Sequence, residues 1–436
     1  MEVCASYFRE MFRSMALQHN EDPDDPAGLD GVTCVVTVPA HFDRLQKDAT
    51  LRAAVMAGLP EDKVVIIDEP VAAAIAYLSG LGPSRKDEED IIVIDVGGGT
   101  TDFTVLKYRR NDVRKVDRMV DLYQVECVEG DAHLGGNDFD AVVAGMIEGR
   151  VSELIAGGVS VTMPSKDELR TMANAVRVQL TGDEAGVFCL QPDSSVHEIS
   201  RPDFEAAAQP LVDRMSRKLE LLLGRYADST GRPLKATHVI LAGGASRMPL
   251  VRGLAERFFP GVDTPKLDKC QSVVSLGAAV YARSLITAGD MVVRQVLPRY
   301  IGMLVDGRRG DVEMMQLVRA NSALPLTVFY PDEEGMSTPM DAPGPGAAPL
   351  PRHGFVAPPG EGEVEFVIEI VEGANIGDNS GDSYKTVGEL QMTCAANTVL
   401  EIILHVDGLG KLSFQAQTAD GTNKVEAHFS LAHRAD

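Results

Sequence analysis

Residues 91–106, "IIVIDVGGGTTDFTVL", set Asp95 and Asp102 on either side of Gly97, Gly98, Gly99, Thr100 and Thr101. Residues without side chains let a backbone turn tightly and aim successive N–H groups into one concavity, which suits anionic oxygens. Asp95 and Asp102 would repel a bare phosphate, so they make sense with a divalent ion and its waters in between. Thr100 adds a hydroxyl. The loop has no Walker A lysine and no Gly-x-Gly-x-x-Gly spacing. Its plain alternative is a hairpin turn; the flanking acids and threonines favour phosphate with Mg2+.

Other glycine turns stand at the ends of apolar runs. "VILAGGASRMPLV" supplies Gly243 and Gly244, which permit close approach of a flat ligand, and Arg247, whose planar guanidinium can stack on it. "GDAHLGGNDFD" puts Gly135 and Gly136 before a polar helix start that would face an anion. Each is weak alone, because strand–glycine–helix turns are common. Glu69 ends the run "KVVIIDE", where a structural acid is the ordinary reading.

These residues need elements to hold them. Residues 2–18 repeat apolar positions at helical spacing, and "NEDPDDPAGLDG" breaks that helix. "VTCVVTVP" and "KVVIID" read as strands, "DRLQKDATLRAAVMAGL" and "VAAAIAYLSGLG" as helices, so the first part is an α/β domain with substantial parallel sheet. From about 131 to 235 the pattern is mainly helical, with a hairpin near "GVFCLQPDSSVHEIS". "SVVSLGAAVYARSLI" is a small-residue helix suited to tight packing. After Gly289 short β-type runs follow, among them "VEFVIEIVEG", whose Phe366, Ile368 and Ile370 alternate with Val367 and Glu369. Such spacing predicts an antiparallel sandwich or barrel. Residues 337–362 are too rich in proline and glycine for a packed element and read as a mobile loop.

Composition narrows the function classes. The chain has 436 residues, 44% hydrophobic and 24% charged, and a formal net charge of −23. So acidic a surface repels phosphate backbones and predicts no nucleic-acid partner, though backbone amides still bind nucleotide phosphates. Six cysteines are scattered without a CxxC pair, and nine histidines show no metal-ligand spacing. No signal-peptide core and no membrane-length apolar run occur. The expectation is a reduced, soluble, cytoplasmic protein without a membrane partner, an organelle lumen being left open.

"VVTVPAHF", "IDEPVAAAIAYL", "VIDVGGGTTDFTVL", "GDAHLGGNDFD" and "VILAGGASRMPLV", in this order and spacing, resemble segments of the 70-kDa heat-shock chaperones, the DnaK family. The resemblance runs from near residue 2 to about 430, weaker in 140–235 and after 290. It implies an α/β actin-like (ribonuclease H-like) nucleotide-binding domain over 1–289, with an incomplete first lobe and a helical subdomain at about 131–235. An interdomain linker at 290–297 and an all-β sandwich substrate-binding domain at 298–436 would follow. The implied function is a stress-response molecular chaperone that couples ATP binding to protein folding. Its cofactors would be ATP or ADP with Mg2+. Its partners would be unfolded or extended polypeptides, with J-domain and nucleotide-exchange co-chaperones.

By the same resemblance Gly97, Gly98, Gly99 and Thr100 would meet the β- and γ-phosphates. Asp95 and Asp102 would hold the Mg2+ through water, with Glu69 near the attacking water. Gly135 and Gly136 would lie near the phosphates, and Gly243, Gly244 and Arg247 near the adenosine. Arg177 and Thr181 would contact adenine and ribose, and Pro39 would relay nucleotide state between lobes. The departures carry equal weight. The family's first phosphate loop and catalytic lysine have no counterpart before Ile91, and no helical lid follows the sandwich, so the chain reads as N-terminally truncated. Asn174 stands for a ribose-binding glutamate, Gln271 for an aspartate, Val178 for a stacking arginine and Lys47 for an arginine. The linker "VVRQV" carries polar residues that would weaken its docking, and Phe366 takes the place of a smaller aliphatic residue beside the peptide groove. Losing two or three charge-assisted hydrogen bonds with the absent loop and lysine would remove roughly 3–9 kcal/mol, so nucleotide binding by this chain alone is expected to be weak, and hydrolysis, which depends on positioning and electrostatic stabilisation, to suffer more. The competing expectation is a non-catalytic relative, a holdase or adaptor. A sugar or acetate kinase of the same superfamily is opposed by the β-rich tail and "IDEPVAAAIAYL".

Overall fold

The structure, a computed structural model, describes residues 1–18, 32–42, 44–82, 86–114, 119–191, 195–262, 270–287, 291–297, 300–306, 312–318, 326–330, 355–373, 384–406, 412–418 and 421–429. The chain divides into two compact units. One comprises Val35–His41 and Ile67–Val293; the other comprises Met1–Cys34, Phe42–Ile66 and Arg294–Asp436. In chain order the elements begin with α1 (Glu2–Gln18), β1 (Cys34–Val38), α2 (Arg44–Met56), β2 (Val64–Asp68), α3 (Glu69–Leu81), β3 (Glu88–Val96), β4 (Thr101–Arg114) and β5 (Met119–Asp131). There follow α4 (Gly136–Ala156), α5 (Lys166–Gly182), β6 (Ala185–Leu190), β7 (Ser195–Ser200), α6 (Arg201–Thr230), β8 (His238–Ala242), α7 (Pro249–Phe258), α8 (Val273–Ile286) and β9 (Met291–Arg294).

The sheet of the Ile67–Val293 unit has the order β8-β3-β4-β5-β9. β3 pairs with β8 in parallel, but β3–β4 and β4–β5 are antiparallel. This corrects the expected, substantially parallel sheet. β3, β4 and β5 follow one another without an intervening helix, and only a crossover of a dozen or more residues can bring the chain back parallel. Both faces of β3 are covered, which is why Ile91, Ile92, Val93 and Ile94 are all fully buried and why the run is apolar without alternation. Ile92, Ile94, Phe103 and Val105 share a core with Phe139, Val143 and Ile147 of α4, Ala173 and Val176 of α5, and Met215, Leu219 and Leu222 of α6.

Local signals explain the helices. Ser165 caps α5: its hydroxyl accepts from the Glu168 amide while the Glu168 carboxylate accepts from the Ser165 amide, a reciprocal pair. Ser200 caps α6 through its hydroxyl alone, which accepts from the Asp203 amide at 3.2 Å and donates to Asp203 Oδ2 at 2.6 Å, and Gly231, at φ 69°, closes the helix. β6 and β7 form the expected antiparallel hairpin between these helices. α8 crosses α3 so closely that a methyl at Gly277 would overlap the Ala72 carbonyl, the tight packing its small residues predicted. Met291–Arg294, inside the expected linker, forms β9 beside β5 at the sheet edge.

In the other unit, α1 packs against α2. Its remaining elements are β10 (Tyr300–Asp306), β11 (Val312–Val318), β12 (Leu326–Tyr330), β13 (Phe355–Val356), β14 (Glu363–Gly373), β15 (Tyr384–Ala395), β16 (Val399–Val406), β17 (Leu412–Thr418) and β18 (Lys424–Phe429). They form one sheet of order β11-β10-β14-β15 and another of order β12-β16-β17-β18, with β13 on β16, and every defined pair is antiparallel. Ile301, Ile368, Ile370, Leu390 and Met392 of the first sheet share one core with Leu400, Ile402, Leu404, Leu412 and Phe414 of the second. On β14 the alternation is as read: Ile368 and Ile370 are buried, Phe366 half-buried against the core, and Val367 52% exposed. The proline- and glycine-rich loop lies mostly outside the described residues. Among the described residues no helix is long and apolar enough to cross a membrane, and none of the six cysteines is in a disulfide.

Candidate functional site

β3 and β4 form a hairpin in which Asp95 faces Asp102 and Val96 faces Thr101, and the Gly97 amide donates to the Thr100 carbonyl at 3.0 Å. The plain hairpin is therefore real. It is also more than a hairpin. None of Gly97, Gly98 and Gly99 lies in the left-handed region, and a methyl on Gly98 would meet nothing within 4 Å. Among the described residues no group accepts from the amides of Gly98, Gly99 and Thr100. The loop thus presents consecutive unsatisfied N–H groups on backbone stripped of side chains, a nest for an anion.

α4 braces this loop from behind. Its first amides donate into it, Gly136 to the Gly97 carbonyl at 2.9 Å and Asn137 to the Gly98 carbonyl at 2.7 Å. The Gly135 amide donates to Asp138 Oδ2 at 2.8 Å. A methyl on Gly135 would stand 2.7 Å from the Gly99 and Thr100 backbone, so only glycine allows the approach. This corrects the expectation that the start of α4 faces an anion: Gly135 and Gly136 are brought to the loop, but their amides are spent on protein partners. Thr101 fixes the far side, its hydroxyl donating to the Leu134 carbonyl at 2.7 Å.

The turn after β8 closes a third side. Gly243 has φ 79°, donates to the Cys270 carbonyl at 3.1 Å, and leaves no room for a methyl against the Val96 carbonyl. Ser246 bolts the turn down. Fully buried, its hydroxyl accepts from the Val96 amide at 3.1 Å and lies in hydrogen-bond contact with the Ala242 carbonyl. Gly244 and Arg247 are exposed at the rim, and Gln271 Nε2 lies 3.4 Å from the Cβ position of Gly244. Arg177 reaches the same place from α5: its Nη2 stands 3.6 Å from the Cβ position of Gly136, and Ala245 Cβ is equally near. Arg177 is held there by Asp140, whose Oδ1 accepts from Nε at 2.5 Å and whose Oδ2 accepts from Asn174 at 3.1 Å. Thr181 is not so placed; its hydroxyl bonds back to the Arg177 carbonyl at 3.1 Å within the helix.

Carboxylates gather below the loop. Glu69 opens α3 immediately after β2. Burial, then the neighbouring Asp102, pushes its carboxyl up to about 7 from 4.5, with Asp68 adding and His41 opposing. Asp95 is raised well above the ordinary range, first by burial and then by Glu69 and Asp102. Buried acids that raise one another mark a place lacking positive charge. Among the described residues no three metal-type side chains converge closely enough to ligate an ion directly. Carboxylates gathered in this way have the charge to attract a hydrated divalent cation. Pro39 is half-buried after β1, and two residues on, His41 Nδ1 lies 2.6 Å from Asp102 Oδ1. Sequence reasoning missed His41, Asp140 and Ser246. Only the position of His41 just after the "VTVP" strand end hinted at a role.

The family model for Hsp70 protein matches residues 19–327. Curated relatives carry the name "Chaperone protein HscA homolog". That of Burkholderia lata is 33% identical over 313 residues, 70% of this chain and 46% of the relative. That of Haemophilus influenzae is 34% identical over 320 residues, 71% of this chain and 46% of the relative. That of Azotobacter vinelandii is 30% identical over 307 residues, 70% of this chain and 45% of the relative. The chain spans about half the length of the curated relatives it matches.

Proposed function

The chain belongs to the Hsp70 family, and from that premise we propose that it is an ATP-dependent molecular chaperone. It binds ATP or ADP with Mg2+ in an actin-like nucleotide domain and extended polypeptide on a β-sandwich. The observation that carries this reading is the convergence of the loops: the free amides of Gly98, Gly99 and Thr100, the braces at Gly135 and Gly243, and the acids beneath them. The amides suit phosphate oxygens. Gly243, Gly244 and the exposed Arg247 suit the adenosine, and Arg177, tethered by Asp140, suits the ribose side. Asp95 and Asp102 would hold Mg2+ through its waters, and the ion when bound would neutralise phosphate charge. Glu69, about half protonated at neutral pH because burial and the neighbouring Asp102 push its carboxyl up to about 7, would be freed to accept a proton once a cation sits beside it.

In the β-rich unit, the exposed Val367 and half-buried Phe366 on β14 are the side chains we assign to the peptide groove. Polypeptides are the proposed partners, with J-domain co-chaperones following from family membership. The test is calorimetric titration of the folded chain with Mg·ATP and Mg·ADP. Saturable binding that is lost when Gly98 is changed supports the reading. A folded chain that binds neither nucleotide at millimolar concentration overturns it and leaves peptide holding by the β-rich unit.

A further inference from the structure

His41 stands in "VVTVPAHF" without a role read from the sequence, yet it directly meets one of the acids beneath the loop. Its Nδ1 lies 2.6 Å from Asp102 Oδ1, and its backbone amide donates to the same oxygen at 3.2 Å. The Asp102 side chain is 3% exposed and that of His41 13%. An ionised carboxylate only accepts, so Nδ1 carries the proton in this bond. In the sheet, Asp102 sits between Asp95 on β3 and Gly130 on β5. Gly130 is cut to fit: a methyl there would stand 3.0 Å from Asp102 Oδ1 and 3.1 Å from His41 Nδ1.

We propose that His41 is a positioning residue for Asp102, occupying Oδ1 with two donors so that Oδ2 is the oxygen left to meet a hydrated divalent cation. Because one donor is backbone, the pair also ties the segment after Pro39 to that acid. Displacing the segment breaks both bonds and releases the carboxylate. A carboxylate held in one orientation binds a cation without first losing rotamer freedom, and hydrogen bonds that orient a metal-binding side chain shift metal affinity by about 10–100-fold. The inference rests on the metal part of the proposed function and is tested separately from nucleotide binding.

The experiment titrates Mn2+ into the full chain, with and without ADP, by electron paramagnetic resonance, and titrates Mg-free ADP by calorimetry. His41→Ala is expected to weaken Mn2+ binding about ten-fold and to leave Mg-free ADP unchanged. His41→Asn, whose side-chain N–H can reach Oδ1, is expected to recover most of the loss. Gly130→Ala, which crowds the pair from β5, is expected to weaken Mn2+ binding with His41 intact. Unchanged Mn2+ affinity in His41→Ala, equal losses in the Ala and Asn variants, or no Mn2+ binding in either condition overturns the proposal. Mn2+ binding that depends on His41 in a chain that ignores ADP keeps it, while removing the nucleotide reading.

Discussion

A methyl group added to Gly98 meets nothing within 4 Å, whereas one added to Gly135 stands 2.7 Å from the Gly99 backbone. Both glycines belong to runs that look alike in the sequence, and their work is opposite. Gly135, Gly243 and Gly277 are needed by the fold itself: backbone passes backbone with no space for Cβ, and Gly243 also sits at φ 79°. Gly97, Gly98 and Gly99 have no such internal need. Open space at Gly98, beside amides from which no described group accepts, is what the site for an outside ligand proposed above requires. The contrast separates glycine required by packing from glycine that packing does not require, and it can be attacked from both sides.

The largest effect is expected where backbones touch. Gly135→Ala should lower unfolding free energy by about 3 kcal/mol, read from urea denaturation. A cost under about 1 kcal/mol would mean that the brace yields and the contrast is lost. Ser246→Ala strands the buried Val96 amide and should cost about 1–3 kcal/mol, visible in the same assay. Gly98→Ala should do the reverse, leaving stability within about 0.5 kcal/mol while lowering Mg·ADP affinity at least about ten-fold, near 1.4 kcal/mol. Destabilisation without an affinity change would place Gly98 with the packing glycines.

Glu69→Gln sharpens the comparison by pH. The folded-state carboxyl titrates at about 7, against 4.5 for the unconstrained group. Between those values the folded chain holds the proton that the unfolded chain has released, so stability falls as pH rises and the cost is complete above 7. In metal-free buffer the Gln variant should therefore gain up to about 3 kcal/mol over wild type at pH 8 and nothing at pH 4. Thermal melts shifted equally at both pH values would refute this. The smallest effect belongs to Arg247→Ala at the exposed rim, a few-fold loss of nucleotide affinity with no change in melting temperature.

Much of this was legible beforehand because its causes are local. Period and punctuation placed the strand–loop–strand of residues 91–106, the hairpin at 185–200 and the small-residue helix at 273–286, since hydrophobic spacing and glycine act within a few residues. The parallel sheet was misjudged because pairing direction depends on what links the strands, and β3, β4 and β5 are joined without a helix. The helix start after Gly135 and Gly136 reads as facing an anion because it looks alike in sequence whether its N–H groups face an anion or the carbonyls of Gly97 and Gly98. Arg177 was found and its tether was not.

The amino-acid sequence by itself determined which residue types are available for chemistry here: glycines that bare the backbone, acids suited to water and metal, an arginine suited to a flat ring. Only the tertiary structure decided which of them meet. His41 lies 61 residues before Asp102 in the chain and 2.6 Å from it in space. Asp140 and Arg177, 37 residues apart, share a hydrogen bond. Contacts of that kind arise from how whole elements pack, an outcome of the summed burial of many side chains, and no local spacing encodes it.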